Sequence, residues 1–169
     1  MKQNAIIWPE KYTSGTTDNY CSNEVIVVGI SIEKVWSLLA NPFQWPTYYK
    51  NSSDIEFLNL EDKILEKGIR FRFKTFGFPI EAQVTEYFAP TENEPGRLAW
   101  RGWAEGDEET CLDVIHAWLV EELDGGRVRI LTQESQIGKP AQELAKTKPN
   151  PMINGHQDWL EGLVEASKS

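Results

Sequence analysis

The residues best suited to carry out chemistry in this 169-residue chain are a histidine and a glutamate on two adjacent predicted strands. The segments "LDVIHAWLVEEL" and "RVRILTQESQI" flank Asp124-Gly125-Gly126, a composition typical of a tight β-hairpin. If the hairpin is centred on Gly125, equal steps along its strands place His116 opposite Glu134, within hydrogen-bonding reach. A carboxylate that orients an imidazole suits general acid/base catalysis. The alternative is a structural pair in which the two groups satisfy each other.

Two further polar residues lie on predicted apolar faces. Glu86 shares a face with Ile80, Val84 and Phe88 if alternation continues along "IEAQVTEYF". Because burying a carboxyl group without a partner is unfavourable, we expect Glu86 to be hydrogen-bonded or to lie in a wet pocket. His156 is predicted to be a core or rim residue on a helix face.

The sequence offers no local pattern for a metal or a cofactor. Cys21 and Cys111 are the only cysteines, and neither a CxxC motif nor a Cys/His cluster suggests zinc. We therefore predict two buried thiols, no metal site and no cofactor.

The elements that must position these residues are mainly antiparallel strands. From Asp54 to Ile137 the apolar residues recur with period two, as in "IRFRFKT", where Phe71 and Phe73 alternate with cationic side chains. Further strands are predicted at "CSNEVIVVG" and "RLAWRGW". This pattern predicts a meander of strands in one sheet.

Helices are predicted on both sides of this meander. Ser31 is a suitable N-cap for an amphipathic helix, and Asn41-Pro42 stops that helix and starts a second, short one. Asn150-Pro151 caps the final helix, which is predicted to run to about Ala166.

Composition limits the classes of partner. The net charge of −9 repels nucleic-acid phosphates, so nucleic-acid binding is not expected. No apolar run is long enough to span a bilayer or to form a signal peptide, so we expect a cytoplasmic protein without integral membrane association. Seven Trp and seven Phe exceed what a core of this size needs, which favours a cavity.

The order of these elements resembles the START-like or SRPBCC superfamily, which includes the birch pollen allergen family and the polyketide cyclase/dehydrase families. The residues that carry the resemblance are "VIVVGISIEKVWSLLANPFQWPTYY", "VTEYFAPTENEPGRLAWRG", "LDGGRVRILTQES" and "HQDWLEGLVEA". The resemblance implies an α+β helix-grip fold: a curved antiparallel sheet wrapped around a long C-terminal helix, with two short helices after the first strand that close one mouth of an apolar cavity. We expect an irregular arm over residues 1–20 and one domain over residues 21–169.

This reading predicts that the protein binds a small hydrophobic or aromatic molecule, such as a lipid, a polyketide-like or an isoprenoid compound. The predicted binding residues are Trp45, Tyr48, Tyr49, Phe71, Phe73, Val84, Glu86, Trp100, Trp118, Trp159 and Leu163. One alternative is an enzyme of the cyclase/dehydrase type that uses His116 and Glu134 as acid and base. Another is a protein-interaction module of the cochaperone type that uses the outer surface of the sheet.

Overall fold

Seven antiparallel strands form one sheet in the order β1-β7-β6-β5-β4-β3-β2 in the computed structural model, which describes residues 3–59 and 64–168. The strands are β1 (Asn19–Val28), β2 (Ser52–Phe57), β3 (Arg70–Thr75), β4 (Phe78–Phe88), β5 (Gly96–Ala104), β6 (Leu112–Leu123) and β7 (Arg127–Ile137). The helices are α1 (Ile32–Ala40), α2 (Trp45–Tyr48), α3 (Lys139–Lys146) and α4 (Pro151–Ser167). A 3-10 turn at Pro42–Gln44 joins α1 to α2. The curved sheet and the long C-terminal helix confirm the predicted helix-grip fold.

The helices begin where the sequence predicts. The Ser31 hydroxyl accepts a hydrogen bond from the backbone N–H of Lys34, at 3.0 Å. The side chain of Asn150 caps α4 by accepting from the N–H of Met152, at 3.1 Å. Each cap satisfies a backbone donor that the first turn of a helix leaves unpaired.

The tight turn between β6 and β7 fixes the register of the central hairpin. Gly125 and Gly126 have φ angles of 80° and 69°, which glycine adopts without steric cost. Leu123 pairs with Arg127, and counting outward from this pair brings His116 opposite Glu134. The predicted register is confirmed.

Strand β4 departs from the predicted alternation. Its pairing with β5 shifts between Val84 and Glu86, so that an extra residue is accommodated there. After this shift Tyr87 packs against the core, while Phe88 is 63% exposed and Glu86 is half-buried. The expectation that Glu86 and Phe88 continue the face of Ile80 is therefore wrong.

Aromatic residues fill the space between the sheet and α4. Trp45 is fully buried and contacts Phe71 and Phe73 edge-on, while its ring stacks on Trp100 at a centroid distance of 5.2 Å. It also meets Trp159 of α4 at 5.1 Å. These contacts join helix α2, the sheet and α4 into one core.

The N-terminal arm covers the outer face of the sheet. Ile6, Trp8 and Tyr12 pack against Ala99 of β5 and the outward residues Ile115 and Ala117 of β6. The middle of β6 is thus buried on both faces. An interaction module using the outer face would have to use the part of the sheet that the arm leaves open.

Asp113 anchors this arm through hydrogen bonds from three side chains. Lys11 and Tyr12 both donate to it at 2.8 Å, and Arg101 donates at 3.0 Å. Burial alone would raise the pKa of Asp113, but these hydrogen bonds outweigh burial and leave the pKa below its usual value.

No helix within the described residues is long and apolar enough to cross a membrane.

Candidate functional site

A cavity of about 480 Å³ lies between the inward face of the sheet and the two C-terminal helices. Its sheet wall includes Phe73, Ile80, Trp100 and Val114, and its helical wall is formed by side chains of α3 and α4. Most of this lining is apolar. The polar residues on the sheet side are Thr75, His116, Glu134 and Gln136.

His116 and Glu134 meet because the hairpin register places them side by side on the inward face. His116 Nδ1 lies 3.3 Å from Glu134 Oε1, and both side chains are more than nine-tenths buried. The proximity predicted from the sequence is therefore present. Proximity alone assigns neither group a role.

His156 joins this pair from helix α4, so the two histidines of the chain lie in one cluster. Its ring stacks on that of His116 with 4.5 Å between centroids, and its Nε2 is 3.9 Å from Glu134 Oε1. The sequence interpretation placed His156 correctly in the core but missed this association. The only available signal was its place on the apolar stripe of α4.

A second set of polar side chains holds the cluster in position. Gln136 Nε2 donates to Glu134 Oε2, and Asn19 Nδ2 donates to the side-chain amide oxygen Oε1 of Gln136 at 2.7 Å. On the other side, the Cys21 sulfur lies 3.4 Å from His156 Nδ1. Cys21 is buried as expected, whereas Cys111 is only half-buried. The cluster thus continues into hydrogen bonds that fix the orientation of its members.

The hydrogen bonds of Thr132 determine the tautomer of His116. The Thr132 hydroxyl donates to the backbone carbonyl of Ala117, at 3.3 Å, and so acts as acceptor toward His116 Nε2–H, at 2.8 Å. In the neutral ring, Nδ1 then carries a lone pair that faces Glu134. A hydrogen bond between them requires the carboxyl group to carry the proton.

Burial sets the protonation of the cluster. It lowers the pKa of His116 well below its ordinary value, and the neighbouring His156 adds to that effect. It lowers the pKa of His156 to about 4. It raises the pKa of Glu134 to about 8, against the opposing hydrogen bond from Gln136. These shifts favour neutral imidazoles and a protonated carboxyl group, so desolvation outweighs any stabilisation of a His116 cation by Glu134.

Of the predicted binding residues, Phe73, Trp100 and Trp159 line the cavity. The others are placed elsewhere. Those not among its lining residues are Trp45, Tyr48, Tyr49, Phe71, Val84, Glu86, Trp118 and Leu163.

The short helix α2 packs into the core instead of bordering the cavity. Trp45 and Tyr49 are buried, and Tyr49 stacks on Trp159 at 4.4 Å. The Tyr48 hydroxyl donates to the carbonyl of Leu38, at 3.1 Å. The expectations that one of these residues reaches the rim and that the two short helices close a mouth of this cavity are wrong.

The mouth is bordered instead by the β3–β4 turn and by α3. Phe76 and Phe78 are 41% and 57% exposed beside the cavity, and Leu144 of α3 faces them across it. Phe76 also contacts Gly155 of α4, where a larger residue would collide with its ring. Alternation could not place Phe76, because a turn has no regular inward face, whereas Phe78 begins β4 on the face of Ile80.

Comparison with solved structures shows both a close and a distant likeness to known proteins. A hypothetical protein from Helicobacter pylori is 52% identical over 99% of this chain and 98% of that one, with a TM-score of 0.94. A START superfamily protein from Mycobacterium smegmatis is 18% identical over 88% of this chain and 94% of that one, with a TM-score of 0.53. The di-domain ARO/CYC BexL from the BE-7585A biosynthetic pathway is 10% identical over 88% of this chain and 45% of that one, with a TM-score of 0.58. The sequence matches no protein-family model and no curated protein.

Proposed function

Because the chain belongs to one family with the Helicobacter pylori protein, and by its fold to the START-like or SRPBCC superfamily, we propose that it binds a small apolar or aromatic molecule in its cavity. The observation that carries the proposal is the cavity itself. Its volume of about 480 Å³ lies within the usual range for small-molecule sites, and apolar walls surround a few convergent polar groups.

The polar end of the cavity favours an uncharged ligand with one hydrogen-bonding group. Burial favours the neutral forms of His116, Glu134 and His156, so in the metal-free protein they offer no fixed charge to pair with a charged organic ligand. Apolar burial of about 25 cal/mol per Å² would supply most of the affinity, and one hydrogen bond would orient the ligand. Lipid-like, polyketide-like and isoprenoid molecules meet this description. Among them, the fold shared with BexL makes polyketide-like compounds the first to test.

An environment-sensitive apolar dye tests the proposal. We expect the folded protein to bind it with a stoichiometry near one, and Val114→Trp to abolish binding because Val114 lies on the sheet wall of the cavity. The matched control is Val28→Trp, which makes the same change at a position that is 67% exposed. Absence of dye binding by the folded wild-type protein, or equal loss in both variants, would contradict the proposal.

A second candidate function is acid/base catalysis of the cyclase/dehydrase type. It is favoured by one observation, the 3.3 Å contact between His116 Nδ1 and Glu134 Oε1 at the cavity wall, where one proton lies between a base and an acid. Once a bound compound is identified, His116→Ala should lower its turnover by roughly 100-fold or more while leaving affinity largely unchanged. If affinity falls and no turnover is observed, the pair orients the ligand in a binding protein.

A further inference from the structure

We propose that His116, Glu134 and His156 bind a divalent first-row transition metal ion, such as Zn²⁺, at the polar end of the cavity. Each residue offers one ligand atom, and the three atoms lie within 4.8 Å of one another. The residues come from β6, β7 and α4, so they are far apart in the sequence and no local motif announces them.

The distances match a metal centre closely. Two ligand atoms bound to zinc at about 2.0–2.2 Å lie about 3.4 Å apart when the angle between them is tetrahedral. His116 Nδ1 and Glu134 Oε1 are already separated by 3.3 Å. His156 Nε2 is 3.9 Å from the same oxygen and within 4.8 Å of the ligand atom of His116, so it needs to approach the pair by roughly 0.5–1.4 Å.

The hydrogen bonds around the pair leave room for a cation between its members. His116 uses Nε2–H to donate to Thr132, so its Nδ1 lone pair points toward Glu134 Oε1. Two acceptor atoms that face each other at this distance need a cation between them, either a proton or a metal ion. A metal ion would replace the proton and bind to both atoms.

The surrounding side chains resemble the outer shell of a metal site. In such sites the second ring nitrogen of each histidine and the second oxygen of the carboxylate are held by hydrogen bonds that orient the ligands. Here Thr132 holds His116, Gln136 holds the second oxygen of Glu134, and Cys21 lies against His156. All three ligand side chains are more than nine-tenths buried.

Binding requires one local movement. The two imidazoles are stacked with 18° between their planes, and a nitrogen lone pair lies in the plane of its ring, so two parallel rings do not point to one centre. Turning the His156 ring about its Cβ–Cγ bond would aim Nε2 at the ion, and Cys21 would have to follow the movement of Nδ1 to keep its 3.4 Å contact.

The ligand set suggests a site that keeps an open coordination position. Two histidines and one carboxylate are found with Zn²⁺ and with non-haem Fe²⁺, where the remaining positions take water or substrate. The cavity lies directly beside the three ligands. An ion there would act as a Lewis acid toward an oxygen of a bound molecule.

Metal-free protein, prepared with a chelator, should be titrated with Zn²⁺ by calorimetry and with Co²⁺ by visible absorption. We expect one ion per chain, competition between the two ions, and no comparable binding of Mg²⁺, which prefers oxygen ligands. Substitution of an outer-shell residue typically weakens metal binding roughly 10–100-fold. Because Glu134→Gln changes a proposed ligand itself, it should weaken Zn²⁺ binding by at least that factor. The matched control is Glu143→Gln, which changes a carboxyl group at the cavity mouth outside the cluster.

A readout on the wild-type protein avoids any folding defect of the variants. The chain contains only two histidines, so NMR of the imidazole rings gives two sets of signals. One equivalent of Zn²⁺ should move both sets, with the larger change at His156. Absence of binding, unmoved histidine signals, or equal weakening by Glu143→Gln would overturn the metal site. Dye binding measured in excess chelator tests the apolar cavity separately, so either proposal can fail without the other.

Discussion

Replacing Thr132 by valine tests the hydrogen bond between Thr132 and His116 Nε2 on which the description of the His116–Glu134 pair depends. Thr132 is fully buried, and its hydroxyl is the acceptor for His116 Nε2–H at 2.8 Å. Valine has nearly the same shape, so the substitution removes the acceptor without leaving a cavity. The imidazole N–H then remains buried without a partner.

The expected loss follows from that unpaired donor. A buried donor without a partner lowers the free energy of unfolding by about 1–3 kcal/mol. For a domain of this length, 2 kcal/mol corresponds to a fall in Tm of roughly 4–8 °C. His116 could escape part of this loss by moving its proton to Nδ1 and donating to Glu134 Oε1 at 3.3 Å. NMR of the ring nitrogens would detect that tautomer.

A double-mutant cycle separates the hydrogen bond from other effects of the substitution. The free energy of unfolding in urea is measured for the wild type, Thr132→Val, His116→Phe and the double variant. Phenylalanine keeps an aromatic ring beside Trp118 but has no donor, so Thr132→Val should cost about 1–2 kcal/mol less in that background. A coupling energy near zero would refute the assigned hydrogen bond and, with it, the inferred tautomer.

Three further outcomes test the surrounding structure. Trp45→Ala should lower the free energy of unfolding by roughly 3–5 kcal/mol in urea, because Trp45 is fully buried among other rings; a loss below about 1 kcal/mol would show that it is not core. Gly162→Ala should destabilise the protein by about 1–3 kcal/mol, because the new Cβ would overlap the backbone carbonyl of Tyr48. The control, Gly155→Ala, meets only the partly exposed ring of Phe76 and should change stability by less than about 1 kcal/mol. Asp113→Asn should lower Tm at pH 7. The difference in Tm from wild type should shrink as the pH falls below about 4, because a carboxyl group with a depressed pKa stabilises the fold only while it is ionised. A difference in Tm that does not change with pH would contradict this reasoning.

The pairing of His116 with Glu134 could be predicted because its causes are local. The turn at Asp124-Gly125-Gly126 fixes the hairpin register, and alternation then fixes which side chains point inward. The first residues of α1 and α4 could be predicted for the same reason. Each helix start depends on one capping side chain, Ser31 or Asn150, and on the helical turn that follows it. The meander of strands followed from the order of such elements, and the helix-grip fold was what the resemblance to the START-like or SRPBCC superfamily implied.

The irregularity in β4 could not be predicted from its own residues. In "IEAQVTEYF" the apolar alternation of Ile80 and Val84 is broken by Glu86, and this break does not distinguish a buried carboxyl group with a partner from an extra residue in the strand. The shift between Val84 and Glu86 is defined by the pairing with β5, a partner that lies beyond the next turn. Sequence alternation therefore assigned Glu86 to a face that the folded strand does not continue.

The tertiary structure alone decided which inward residues border empty space. Periodicity shows that Phe71 and Phe73 point to the same side, but only Phe73 lines the cavity, because α2 inserts Trp45 against both rings and fills the space at one end. Prediction from the sequence reaches the same limit at His156. The apolar residues on one side of α4 predict that His156 points inward. Its contact with Glu134 depends on how the whole helix lies across the sheet. Local sequence determines the direction in which a side chain points, and the packing of distant elements determines what it meets there.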